Sequence, residues 1–264
     1  MQQISKTAVD DLRVKTPQPA KLNEYKSLHL WMILPMFFMQ LGIFRDYWGD
    51  FTDNAWSVHI HYLTGTVWYI YLIIQPYFAT HGQIGRHRTN GIIGMFIAGA
   101  VCFTALSMMH RDIVTTERAA AAPEQFGPFQ PWFFFGVAAV EIVMMTAFGY
   151  AIIKSIIYRK QFDNHAWWLI STVFIIMMPA LGRGIQNVYI AMHIKDFPNI
   201  NIMTPLYPTQ AIIIGMLLAG AWKFKKLRHP ATFLAIGVNL FVLLLEPLGR
   251  SESIQNFLKL MIKG

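Results

Sequence analysis

The sequence is poor in cysteine and in charge. Cys102 is its only cysteine, which excludes an internal disulfide bond and a Cys-x-x-Cys metal site. Charged residues make up 14% of the chain, whereas a soluble domain of this size carries about a quarter. Hydrophobic residues make up 55%. This balance predicts a protein whose solvent is lipid.

The net charge of +8 does not indicate nucleic-acid binding, because the basic residues lie in short segments between apolar runs. Fourteen of them fall on one predicted face of the membrane and seven on the other. The positive-inside rule places the richer face in the cytoplasm. We therefore expect the lipid bilayer, and no nucleic acid, as a partner.

Seven apolar stretches reach or approach the roughly 20 residues that a membrane-spanning helix needs. They cover residues 28–44, 57–79, 90–109, 131–153, 165–187, 205–222 and 230–245. They predict an all-α, polytopic membrane helix bundle of about seven transmembrane helices in a bacterial inner (plasma) membrane. The N-terminus would be cytoplasmic and the C-terminus outside.

This prediction divides the chain into three parts. Residues 1–27 would form a cytoplasmic tail, and residues 28–248 the helix bundle. Residues 249–264 would form a short amphipathic tail on the outer face, because apolar residues recur there at helical spacing.

Nine histidines stand out in so apolar a chain, and most lie at predicted helix ends. Counting ~100° per residue along each predicted helix, we expect His87 and His165 to face the interior of the bundle at its inner end. Arg183 lies eighteen residues after His165, which is five helical turns. We therefore expect both side chains on the same side of that helix. We expect His61, His110 and Arg183 to converge at the outer side.

Imidazole is a ligand for haem iron and for transition-metal ions, and facing helices of a bundle can hold a haem between them. The pattern predicts one or two sites, with His87 and His165 as inner ligands and His61 and His110 as outer ligands. Haem b or a bare transition-metal ion would be the cofactor, and Arg183 could pair with a haem propionate. A pH-sensing pair and no cofactor at all are the alternatives, since histidines also favour the headgroup region.

Three polar residues lie inside predicted spans. Glu141 is near the middle of its helix, where burying a carboxylate in lipid costs free energy. A functional role is therefore the first hypothesis for such a residue. Asn239 lies at a comparable depth and is a candidate hydrogen-bond partner of Glu141, while Gln75 shares a face with His61. In a transporter or channel they would line a polar path. The alternative is a protonated Glu141 that makes a structural hydrogen bond.

Three short motifs occur in order along the middle of the chain, and Arg183 follows them. They are His61 with Gly65 (HxxxG), His87-Arg88 with Gly91 (HRxxG), and His165 with Trp168 (HxxW). Together they resemble an uncharacterised family of bacterial multi-pass membrane proteins, although Ser171 stands where that family tends to have an arginine. The resemblance implies a membrane bundle with helix-end histidines and gives no established activity. In plan, the expected sites are also similar to those of b-type membrane cytochromes.

Three functions fit these features. Haem or metal binding in membrane electron transfer ranks first, because histidines pair at both faces; if the protein is an enzyme, it would be a membrane oxidoreductase subunit. A transporter or channel that uses Glu141 is the second. The third is a non-catalytic subunit of a larger membrane complex or a homo-oligomer. A stripe of small residues after His87 would allow the close helix contacts that such an assembly needs.

Overall fold

The computed structural model of the chain describes residues 19–263, with side chains described for residues 22–261. The predicted tail at 1–27 therefore lies largely outside the described residues. In the described range the protein is all-helical, without a strand. The α-helices are α1 (Pro19–Glu24), α2 (Leu28–Trp31), α3 (Ile33–Ile43), α4 (Trp56–Thr80), α5 (Ile84–Ala121), α6 (Pro123–Phe126), α7 (Pro131–Ile157), α8 (Phe162–Ile175), α9 (Met178–Met192), α10 (Leu206–Lys223), α11 (Pro230–Phe241), α12 (Leu245–Arg250) and α13 (Glu252–Lys263).

Five helical segments in the described part of the chain are long and apolar enough to cross a membrane. They are Leu22–Gly49, Ile84–Ala121, Pro131–Ile157, Phe162–Met192 and Pro230–Arg250. All seven predicted stretches are helical, but α4 and α10 are not among these five. Neither contains a stretch of 18 residues as apolar as those in the five. The fold therefore fits a membrane protein with five clear candidate spans.

Four helices enclose the region that matters most for function. α4 packs on α5, α5 on α7, α7 on α8, and α8 back on α4. α5 and α8 therefore face each other diagonally across the group. Small residues allow the close contacts, since Gly94 of α5 lies against the Tyr71 ring of α4 with no room for a Cβ. This agrees with the predicted stripe of small residues on α5.

The stretch predicted as one helix at 165–187 is two helices. α8 ends at Ile175 and α9 begins at Met178, directly before Pro179. Proline has no N–H to donate to the preceding turn and its ring crowds that turn, so it interrupts a helix. Counting helical phase from His165 to Arg183 across this break is therefore wrong.

The break leaves backbone carbonyls at the end of α8 without their helical donors, and two neighbouring helices supply replacements. The Tyr69 hydroxyl of α4 donates to the Val173 carbonyl at 3.1 Å. Asn239 Nδ2 of α11 donates to the Phe174 carbonyl at 3.0 Å. A broken helix is tolerated inside a membrane when side chains satisfy its freed backbone groups in this way.

The amphipathic helix predicted near the C-terminus is present as α13. Its Leu258 is fully buried against Ile113 of α5 and Phe135 of α7, while Phe257 and Leu260 are exposed. The helix therefore packs one apolar face on the bundle and leaves further apolar side chains outside it, as expected at a membrane surface.

Candidate functional site

A cavity of about 640 Å³ lies among α4, α5, α7 and α8, at the end where α5 and α8 begin. Its volume lies in the range of sites that bind small molecules and cofactors. Apolar side chains from all four helices line most of it, including Trp68, Tyr71, Ile92, Met95, Ile152 and Leu169. Three basic side chains, Arg88, Arg159 and Lys160, complete the lining. The cavity is thus apolar in most of its wall and cationic in one part.

His87 and His165 both line this cavity, from the first turns of two diagonally placed helices. Their ring centroids are 6.0 Å apart and their planes cross at 85°. The structure therefore brings together the two histidines predicted as inner ligands. His81, at the end of α4, packs instead on Tyr77, with 4.2 Å between ring centroids.

The hydrogen bond of His165 fixes which nitrogen is available. Its Nδ1 lies 2.8 Å from the carbonyl oxygen of Ser155 on α7. A carbonyl only accepts, so Nδ1 carries the proton, and the neutral ring has its lone pair on Nε2. Nδ1 of His87 is buried and has no hydrogen-bond partner among the described residues. The two rings are therefore supported differently.

The predicted outer pair does not come into contact. His61 Nδ1 lies 3.2 Å from the Thr104 hydroxyl of α5, whereas His110 is exposed. Thr104 and His110 are six residues apart, so they point to different sides of α5. No hydrogen bond or ring contact joins His61 to His110 in the described part of the chain.

Arg183 lies near His61, as expected, in a polar cluster that is separate from the cavity. Its Nη1 donates to the Tyr62 hydroxyl at 3.0 Å, and its Nε lies 3.7 Å from an oxygen of Asp46. Asn187 donates to the other Asp46 oxygen at 2.6 Å. Arg183 follows His165 by eighteen residues along one span, which is roughly 25 Å by helix rise. Arg183 is therefore too far from the cavity to take part in it.

Close packing of α3 and α9 creates this cluster. A Cβ on Gly42 or on Gly184 would overlap the facing backbone of the other helix. The contact places Asp46, one turn after Gly42, beside Arg183 of α9. Asp46 could have been noticed in the sequence, because it is an acidic residue just after the first apolar stretch.

Two more carboxyl groups lie near Arg183. Asp112 of α5 and Glu141 of α7 interact electrostatically with each other and with its guanidinium. The hydrogen bond expected between Glu141 and Asn239 is not formed. Asn239 donates to the Phe174 and Ala235 carbonyls instead.

His229 has a structural role as the N-cap of α11. Its Nδ1 accepts from the Ala231 amide, and its Nε2 lies 3.1 Å from the Asn164 side-chain oxygen. Burial, followed by the nearby Lys226 ammonium, lowers the pKa of His229 to about 4. Both ring nitrogens are engaged, so this histidine is not available as a ligand.

The donor set limits what the cavity can hold. No group of three or more His, Cys, Asp or Glu side chains within the described ranges is arranged to bind a metal ion. A haem is different, because its iron needs at most two axial ligands from the protein. The pair His87 and His165 provides that number.

Fold and site together describe an all-helical protein of the membrane type, with a histidine-lined cavity among four helices. Comparison with known protein families, with characterised proteins and with solved structures finds no match for this chain.

Proposed function

We propose that this protein binds haem b between His87 and His165 and takes part in membrane electron transfer. The 6.0 Å separation of the two ring centroids carries the proposal. A metal–imidazole bond is about 2 Å long and the ring centre lies about 1 Å beyond the nitrogen, so two imidazoles on opposite sides of one metal are ~6 Å apart. His87 and His165 would hold the haem iron, whereas a tetrahedral ion would bring the two rings closer together.

The positions of the helices support the same proposal. Cofactor sites in helix bundles use side chains that project inward from facing helices. Here α5 supplies His87 and α8 supplies His165 across the diagonal of a four-helix group. The cavity has the apolar walls that a macrocycle requires.

The basic side chains Arg88, Arg159 and Lys160 suit the propionates of a haem, since cation–carboxylate hydrogen bonds are strong. They take the role that the sequence suggested for Arg183. When bound, haem would supply one-electron chemistry. The protein would contribute its ligands, water exclusion, and a hydrogen bond from His165 to Ser155 that raises the basicity of the ligand.

The proposal includes an arrangement in the membrane. The chain would cross a bacterial inner membrane seven times, with α4 and α10 joining the five clear spans. The cationic part of the cavity would then face the cytoplasm and the C-terminus would lie outside. A haem this close to one surface suits exchange of electrons with a partner, which could be another membrane subunit or a second copy of the chain.

Visible absorption spectra of the detergent-purified protein, oxidised and dithionite-reduced, test the proposal together with metal analysis. We expect a Soret band that shifts on reduction. His87→Ala and His165→Ala should each lose the band, while His193→Ala, at the end of α9, should keep it. A wild-type protein without a Soret band after haem reconstitution would refute haem binding. Stoichiometric metal without the band would indicate a bare metal ion.

The Arg183 cluster favours a second candidate, proton or ion transport. Asp112 and Arg183 line a cavity of about 100 Å³, enough for a few water molecules. Charged groups inside membrane spans commonly mark proton or ion paths. Proton flux into liposomes that Glu141→Gln abolishes, in protein without a chromophore, would support this function over electron transfer.

A further inference from the structure

Three polar side chains line the cavity of about 100 Å³ beside the Arg183 cluster, which we call the Arg183 cavity. They are Asp112 of α5 and Arg183 and Gln186 of α9. Asp112 and Gln186 make no hydrogen bond within the described residues. Both side chains are half-buried, so a molecule in the cavity can reach them.

Arg183 keeps hydrogen-bond donors after its contacts inside the protein. Its Nη1 donates to the Tyr62 hydroxyl, and its Nε lies near Asp46. Its Nη2 makes no hydrogen bond in the described part of the chain, and 47% of the side chain remains exposed. A guanidinium group carries five N–H donors. Arg183 therefore has N–H groups left for a molecule in the cavity.

Opposite charges line this cavity without meeting. Arg183 and Asp112 interact electrostatically, yet no ion pair joins them among the described residues. Glu141 is a second carboxyl group within electrostatic range of both. Charged groups inside a helix bundle lose hydration, and a charged or polar partner restores part of that loss. A partner that carries both charges satisfies both walls of the cavity.

We propose that the Arg183 cavity binds a small zwitterion, namely an amino acid of the size of glycine, alanine or serine. Its carboxylate accepts hydrogen bonds from Arg183 Nη2 and from the Gln186 amide, while its ammonium donates to Asp112. The small side chain lies against the apolar part of the wall, which includes Phe133 and Met178.

Other classes of ligand suit the cavity less well. A simple cation is repelled by Arg183, and a simple anion is repelled by Asp112 and Glu141. The volume is that of about three water molecules, since each takes up roughly 30 Å³ in the liquid. The cavity therefore has no room for an amino acid with a large side chain.

The Arg183 cavity lies far from the histidine-lined cavity. Asp112 follows Arg88, which lines the histidine-lined cavity, by twenty-four residues along α5, which is roughly 36 Å by helix rise. The proposal therefore does not rest on haem binding between His87 and His165. It gives the second candidate function a solute.

Equilibrium binding of radiolabelled L-alanine to the detergent-purified protein tests the site, with L-lactate as the competitor. L-Lactate keeps the carboxylate and the methyl group but has a hydroxyl in place of the ammonium. We expect saturable binding of L-alanine. L-Lactate should bind about 10- to 100-fold more weakly, because it cannot form the charged hydrogen bond to Asp112.

Three variants separate the two ends of the ligand, and size-exclusion chromatography checks that each is folded. Asp112→Asn keeps the shape of the side chain but removes its charge, so the preference for L-alanine over L-lactate should disappear. Gln186→Met should weaken both ligands alike, because it removes a contact with the carboxylate that they share. Asp196→Asn is the matched control, since Asp196 is an exposed carboxylate between α9 and α10 that does not line the cavity. It should bind L-alanine as the wild type does.

Two results with the wild type would overturn the proposal. One is no saturable binding of glycine, L-alanine or L-serine, and the other is equal affinity for L-alanine and L-lactate. A preference for L-alanine that survives in Asp112→Asn, or that Asp196→Asn abolishes equally, would also overturn it. A protein that binds L-alanine as expected but shows no Soret band would refute the haem proposal and support this site.

Discussion

Tyr69→Phe isolates one hydrogen bond at the break between α8 and α9. The substitution removes only the hydroxyl that donates to the Val173 carbonyl, and the ring is 2% exposed in the core. The packing of the ring is retained, so the change in the free energy of unfolding measures the loss of this donor. The carbonyl is left buried without its partner.

The expected magnitude follows from two opposing effects. A buried acceptor left unpaired costs about 1–3 kcal/mol. Hydrogen bonds between membrane helices average only about 0.6 kcal/mol, because separated helices find other partners in the bilayer. The Val173 carbonyl lies at a helix break, where the next turn offers it no amide. We therefore expect a loss of about 1–2 kcal/mol.

Unfolding by sodium dodecyl sulfate in mixed micelles, followed by circular dichroism, measures this difference. Tyr207→Phe is the control, because Tyr207 is 63% exposed and donates no described hydrogen bond. Asn239→Leu should cost a similar amount, since it leaves the Phe174 carbonyl unpaired. If Tyr69→Phe and Tyr207→Phe have the same stability, the carbonyls at the break do not depend on these donors and the reasoning is wrong.

Three other measurements test separate parts of the structure. Gly184→Ala should lower the free energy of unfolding by about 1–3 kcal/mol through overpacking between α3 and α9. The control Gly215→Ala should be neutral or stabilising, because its added Cβ meets nothing within 4 Å. Equal effects of the two substitutions would contradict the close contact. Because the folded pKa of His229 is about 4 against its ordinary 6.5, the unfolded state binds more protons between these values. Stability should therefore fall as the pH drops from 6.5 towards 4, and His229→Asn should flatten this dependence in the same unfolding assay; an unchanged slope would show that His229 is not responsible. His61→Ala and His110→Ala should leave the amount of bound haem unchanged in absorption spectra, and a loss in both would restore the predicted outer site.

The inner histidine pair could be predicted because each residue lies in the first turn of its helix. Helical phase needs only local regularity, and no break lies between His87 or His165 and the start of its own helix. The same method cannot be carried from His165 to Arg183, because one helix ends at Ile175 and another begins at Met178, although Arg183 does lie near His61. Phase counting cannot show how far the axis turns at such a break.

The partners of Arg183 depend on contacts between distant segments. Asp46 reaches it only because Gly42 and Gly184 let α3 and α9 approach closely. Their positions in the sequence do not show that these two glycines meet. Glu141 and Asn239 looked like partners because they lie at similar depth. The depth of a residue in the membrane does not show which way its helix is rotated. Asn239 in fact faces the end of α8 at the break.

The diagonal placement of His87 and His165 also bears on how the protein is made. Seventy-eight residues separate the two histidines along the chain. During synthesis, α5 enters the membrane well before α8, and α7 must be inserted between them. The cavity has only one of its two imidazoles until α8 arrives, so a nascent chain that stops after α7 has no complete site. Loading of a ligand is therefore expected to follow insertion of α8, as a late step in biogenesis.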